Sequence, residues 1–171
     1  MMLRDALVGT WTLVSYTERC LPEGPVIYPH GPDALGLIMY TPDGYMSAQI
    51  MTRSRPSYDR PVASGGTTEE SAAAATGYLA YSGPYSVDVS TGDIHHEVMV
   101  SLLPNWLGHT QIRHSQLDGE QLILSAMTPL PNGTTTISTL VWARAPSHPT
   151  PVEQGDLRQS ASSSLGRAGP S

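Results

Sequence analysis

Short strand-like runs separated by turn signals recur from Trp11 to Arg144, and this spacing limits the chain to an all-β sandwich or barrel. The runs are Trp11–Glu18, Leu35–Tyr40, Tyr45–Met51, Tyr85–Val89, Ile94–Leu102, His109–Leu117, Gln121–Met127 and Thr134–Arg144. Tight turns join several of them. Thr41-Pro42-Asp43-Gly44, Ser90-Thr91-Gly92-Asp93 and Asp118-Gly119 carry the residues that supply turn geometry. About eight strands is the number at which a closed antiparallel barrel has room inside for one small ligand. One helix interrupts the pattern. Thr67 to Tyr81 is Ala-rich, Thr67 and Glu70 have capping-box spacing, and Gly83 stands where a helix stop is expected. A helix inserted there is placed to cover one mouth of the barrel.

The remainder of the chain bounds the problem. Its 171 residues suit one domain, expected over residues 1–145, followed by a tail over residues 146–171. The tail is rich in Ser, Pro and Gly without periodicity and is expected to be disordered. Net charge is −6, and the nine cations counted as Lys or Arg are all Arg. Lacking Lys, the chain cannot form a Schiff base or a P-loop. An acidic domain without a basic patch is a poor nucleic-acid binder and a poor ligand for anionic membranes. Cys20 stands alone, so an internal disulfide or a multi-cysteine zinc site is excluded. The N-terminal MMLRDALVGTWTLV has no continuous apolar core, and no stretch is long enough to span a bilayer. The expectation is a soluble cytoplasmic protein.

Strand parity assigns faces, because alternate side chains point to opposite sides. Ile94, His96, Val98, Val100 and Leu102 share the more apolar face of their run, which places His96 inside. In the next run Gln111, Arg113, Ser115 and Leu117 share a face. Leu117 argues that this face points inward, and Ile112 on the other argues the reverse. If it is inward, Gln111 and Arg113 join His96 on neighbouring strands. An imidazole can move a proton, and a guanidinium beside it can hold a carboxylate or a developing enolate. The bland alternative is a satisfied core histidine and an Arg that closes a polar network. Leu103 to Gly108 connects these two runs. Trp106 in it can close a mouth and stack on a flat ligand, or merely plug the barrel end, and Asn105 beside it is a candidate contact. Tyr81 can present its hydroxyl to the mouth. Met46, Ala48 and Ile50 are expected inward, with Tyr45, Ser47 and Gln49 outward. Trp11 is expected to seal the bottom, with Arg144 stacked on its ring. His95, His96, His109 and His114 lie close in sequence, but adjacent strand residues face opposite ways and match no ligand spacing, so no metal site is expected.

The blocks LVGTWTLVS, IMYTPDGYMSAQIM, GYLAYSGPY, HHEVMVSLLPNWLGHTQIR and LVWAR resemble the small lipocalin-like domain family. The resemblance runs to about Arg144 and implies a calycin-like antiparallel barrel with one ligand cavity. It also implies a context, since some lipocalin-like proteins act in secondary-metabolite clusters as cyclases, isomerases or pericyclases. It supplies no catalytic signature to transfer. His96, Gln111 and Arg113 stand within its strongest blocks.

The leading expectation is therefore a cofactor-free isomerase or cyclase acting on an oxygenated polyketide- or terpenoid-type intermediate. His96 and Arg113 would be catalytic, and Gln111, Trp106, Tyr81 and Asn105 would bind substrate. The alternatives are a non-catalytic carrier of a hydrophobic small molecule and a structural partner with a filled barrel. Fold does not choose among them, and the sequence leaves the oligomeric state open.

Overall fold

The computed structural model describes residues 2–147. From residue 148 onward the expected disordered tail lies outside the described residues. A short helix α1 (Leu3–Leu7) leads into β1 (Gly9–Cys20), β2 (Val26–Ile27), β3 (Leu35–Tyr40) and β4 (Tyr45–Met51). Helix α2 (Thr68–Thr76) follows, then β5 (Tyr78–Val87), β6 (Ile94–Glu97) and β7 (Val100–Ser101). A single 3-10 turn at Pro104–Trp106 leads to β8 (Thr110–Asp118), β9 (Gln121–Pro129) and β10 (Thr135–Arg144). Strands β1, β3, β4, β5, β6, β8, β9 and β10 pair antiparallel in that order, and β10 returns to β1, so the sheet closes into an eight-stranded barrel. Closure leaves no free sheet edge in the ring. Among the described residues no helix is long and apolar enough to cross a membrane.

Because every pairing is antiparallel, the barrel has two distinct ends. The lower end carries the tight turns after β3, β5 and β8, and α1 plugs it. Leu7 and Trp11 are both fully buried there. The Trp11 indole N–H donates to the Leu7 carbonyl at 2.9 Å, and the Arg144 guanidinium stacks 4.1 Å from the Trp11 ring. Arg144 also donates to the carbonyls of Ala6 and Val8, so one cation ties the plug to the last strand. Burying the Leu7 side chain alone contributes roughly 2–3 kcal/mol. Sequence gave no warning of α1, which is only five residues long and draws its stability from this docking.

Alternation holds along β4, where Met46, Ala48 and Ile50 are buried as expected and Tyr45 and Gln49 are exposed. Two backbone irregularities break it elsewhere. In β1 the register slips between Leu13 and Ser15, leaving Val14 bulged and exposed. A bulge shifts parity by one. Trp11 and Leu13 pair with Arg144 and Trp142, and beyond the slip Tyr16 and Glu18 pair with Leu140 and Ser138. Odd residues thus face inward before the bulge and even residues after it. The second break corrects the expected continuous strand from Ile94 to Leu102. Chain pairing stops after Glu97 and resumes at β7 on the same neighbour, β5. Ile94, His96 and Val98 point inward, but Val100 and Leu102, expected on the same face, are exposed. The break sits against Gly83, where an added Cβ would lie only 1.8 Å from the Glu97 carbonyl oxygen. Gly83 therefore permits a close backbone approach and does not stop a helix.

That also corrects the helix. Its start is as expected: the Thr67 side chain accepts from the Glu70 N–H and Glu70 accepts from the Thr67 N–H. It ends at Gly77, not near Tyr81, because from Tyr78 onward every residue pairs with β4. Tyr78 and Tyr81 are strand residues. Helix α2 stands at the upper rim with no buried residue and contributes none to the interior lining.

Candidate functional site

The lower half of the barrel is filled by side chains, and the upper half holds a cavity of about 140 Å³. Ile38, Ala48, Ile50, Leu79, Leu124 and Leu140 form apolar wall. Its polar lining comes from Tyr16, Glu18, Tyr81, Gln111 and Arg113, with Trp106 beside them.

These polar groups form two poles. On β8, Gln111, Arg113, Ser115 and Leu117 are all partly buried while Ile112, His114 and Gln116 are exposed, so the inward face is the one that carries Leu117. Gln111 stands opposite His96 and Arg113 opposite Ile94. Arg113 donates to the Ile112 carbonyl at 3.2 Å and lies 5.9 Å from the Trp106 ring, and among the described residues it forms no ion pair. The opposite pole lies across the interior on β1 and β10. Glu18 accepts from Tyr16 at 2.6 Å and from Ser138 at 2.9 Å. Burial pushes the Tyr16 phenol above its usual range, and the bonded Glu18 carboxylate adds to the shift. Tyr16 therefore stays a donor to that carboxylate.

His96 is not part of the cavity lining and is completely buried. Tyr40 Oη is 2.9 Å from its Nε2, and Tyr81 Oη is 2.9 Å from its Nδ1. Burial, then the positive fields of Arg113 and His95, pull its pKa down to about 3. The imidazole is neutral, and both ring nitrogens are occupied by phenols. Tyr40 is itself fully enclosed, with its pKa raised well above normal chiefly by burial.

Trp106 packs edge-on against Tyr81 with ring centroids 5.2 Å apart, next to the β8 pole. The structure thus brings Tyr81, Trp106, Gln111 and Arg113 to one wall. Among the described residues, His96 is joined to this wall by a side-chain hydrogen bond to Tyr81, with Gln111 opposite it on the neighbouring strand. Asn105 does not join it: it is exposed on the outer side of the same 3-10 turn and lines none of the cavity. The histidines scatter, since His95 lies on the opposite face of β6 from His96 and His114 pairs with Asp93 at 2.8 Å. Tyr16, Glu18 and Tyr40 escaped sequence reasoning. For Tyr16 and Glu18 the only local signal was the pair of large polar residues on a strand that strict alternation would have turned outward.

A lipocalin-like domain model matches residues 8–145. A curated protein of Aspergillus oryzae, the 4'-hydroxy-3'-methoxypropiophenone carrier protein, is 40% identical over 108 residues, which cover 59% of this chain and 97% of that protein. No solved structure matches the chain. The matched span takes in the whole barrel from the start of β1 to the end of β10, and with it both poles of the cavity. The chain belongs to the lipocalin-like domain family.

Proposed function

We propose that this protein is a non-catalytic carrier for a small oxygenated aromatic molecule, and that the upper cavity is its binding site. The observation that carries this reading is the pairing of an apolar-walled cavity, polar at two poles, with a sealed acid–base residue. Arg113 and Gln111 are set to bind an acceptor oxygen, and Glu18 is set to accept from a hydroxyl. An engineered apolar cavity of roughly 150 Å³ holds benzene, so the volume here, about 140 Å³, takes one aromatic ring, with any substituents directed to the poles or out of the mouth. An aryl ketone with a phenolic hydroxyl fits both poles, and the carrier relative's name specifies a molecule of that class.

The isomerase or cyclase reading needs a proton-transfer group that meets the ligand. His96 does not offer one, because Tyr40 and Tyr81 occupy both of its nitrogens and burial holds it neutral. Arg113 and Gln111 remain as binding groups in either reading. Calorimetric titration with 4'-hydroxy-3'-methoxypropiophenone, followed by chromatography of the recovered ligand, separates the two. Saturable binding with the ligand returned unchanged is the expected result. A converted product would establish catalysis instead, and absence of heat with this and related one-ring phenolic ketones would leave the barrel without a carrier role.

A further inference from the structure

We infer that the buried Tyr40–His96 pair fixes Tyr81 as a hydrogen-bond donor into the cavity, which makes a carbonyl or equivalent acceptor oxygen a requirement of the ligand. The inference rests on the carrier reading and adds to it a determinant of specificity that lies partly outside the cavity lining.

Proton counting fixes the direction of the chain. A neutral imidazole carries one N–H and one lone pair in its ring plane, so one phenol donates to it and the other accepts from it. Tyr40 is 2% exposed, and among the described residues its hydroxyl has one partner, His96 Nε2. Were Nε2 protonated, Tyr40 Oη would accept that proton and its own O–H would point into the packed lower core with no acceptor. A buried donor left unpaired costs about 1–3 kcal/mol. With Tyr40 donating to Nε2, the remaining proton sits on Nδ1 and is donated to Tyr81 Oη. The Tyr81 O–H is then free. Tyr81, unlike Tyr40, lines the cavity. No other partner of its hydroxyl occurs among the described residues, so the open space is where that proton can be used.

The consequence is directional. Tyr81 accepts from the buried imidazole and donates toward the cavity, and its ring is held by Trp106 edge-on at 5.2 Å. Accepting from Nδ1–H also polarises the phenol and strengthens its outgoing bond. A ligand without an acceptor at this position leaves the donor unpaired in an enclosed site. His96 and Tyr40 act as positioning residues and need not touch the ligand.

The test has two arms. Nitrogen NMR of the protein labelled with ¹⁵N-histidine reads the tautomer without any ligand. His96 is expected to show a protonated Nδ1 and an unprotonated Nε2; a protonated Nε2 would overturn the inference outright. In the second arm, propiophenone and propylbenzene, which share a skeleton and differ at the carbonyl, are titrated against wild type and Tyr81→Phe. Wild type is expected to prefer the ketone by roughly tenfold or more, and Tyr81→Phe to reduce that preference severalfold, the share of Arg113 and Gln111 remaining, while propylbenzene binding holds. Equal binding of both probes by wild type, or an undiminished preference in the variant, overturns the recognition step. Should neither probe bind wild type, the recognition step is overturned, the phenolic-ketone titration decides the carrier reading separately, and the nitrogen spectrum still decides the orientation of the chain.

Discussion

Replacing His96 with Gln removes the one fully buried imidazole among the described residues and should change how the fold responds to acid. Gln keeps one acceptor and one donor group for Tyr40 and Tyr81 but does not titrate. In the unfolded chain the imidazole has its ordinary value of 6.5, and in the barrel it is pulled down to about 3, first by burial and then by Arg113 and His95. Between those values the unfolded chain binds a proton that the native barrel does not. Stability attributable to this site is therefore intact above the unfolded value and falls as the pH drops through the window. Each unit costs about 1.4 kcal/mol, so acidifying from about pH 7 to about pH 4 should remove roughly 3 kcal/mol from wild type, and roughly 4 by pH 3, where the native imidazole is itself half-protonated. The assay is urea unfolding followed by tryptophan fluorescence across that range. His30, whose pKa burial also lowers, titrates in both proteins and cancels from the difference. Any cost of poorer packing by Gln offsets the two curves by a constant amount at every pH. Wild type should lose stability below about pH 6.5 faster than His96→Gln, the gap changing by about 1.4 kcal/mol per unit. Parallel curves would show that the native barrel protonates His96 as readily as water does, and the sealed-histidine argument against catalysis would fall with them.

Three further substitutions probe the rest of the design. Arg113→Met should lower affinity for a phenolic ketone about tenfold by calorimetry. The same variant should leave the urea midpoint unchanged or raised, because the guanidinium has no ion pair among the described residues to lose. Gly83→Ala should cost about 3 kcal/mol in thermal unfolding, since its Cβ would lie 1.8 Å from the Glu97 carbonyl oxygen and neither backbone can give way without breaking pairing. Arg144→Met should cost about 2–3 kcal/mol through loss of the Trp11 stack and the bonds to Ala6 and Val8. Amide exchange should then locate the damage at α1 and the Trp11 indole, with β5 and β6 spared.

The two poles of the cavity differ sharply in how legible they were, and the reason is mechanical. Along β8 the backbone is regular, so a period of two places Gln111 and Arg113 inside once Leu117 is accepted as an inward residue. Ile112 misled because the outer face of a barrel strand can carry a large apolar side chain, here half exposed, without penalty to the fold. The Glu18 pole is invisible to the same rule. Whether Tyr16 and Glu18 face the cavity depends on one extra residue, Val14, and a bulge is decided by the neighbouring strands more than by the residues within it. Here the neighbour is β3, which comes so close at Gly36 that an added Cβ would lie 3.0 Å from Leu13. The same holds at Gly83, where β5 presses on Glu97 and turns Val100 and Leu102 outward. His96 shows a third limit. Parity put it inside, but its character is set by Tyr40 and Tyr81, 56 and 15 residues away in sequence. Without them it is an available base; between them it is a buried relay whose free end belongs to Tyr81. Residue identity supplied the groups, but two backbone breaks and two long-range phenols decided which groups face the cavity and what they can do there. That is why strand period alone points toward proton transfer, whereas the carrier role proposed above rests on the assembled geometry.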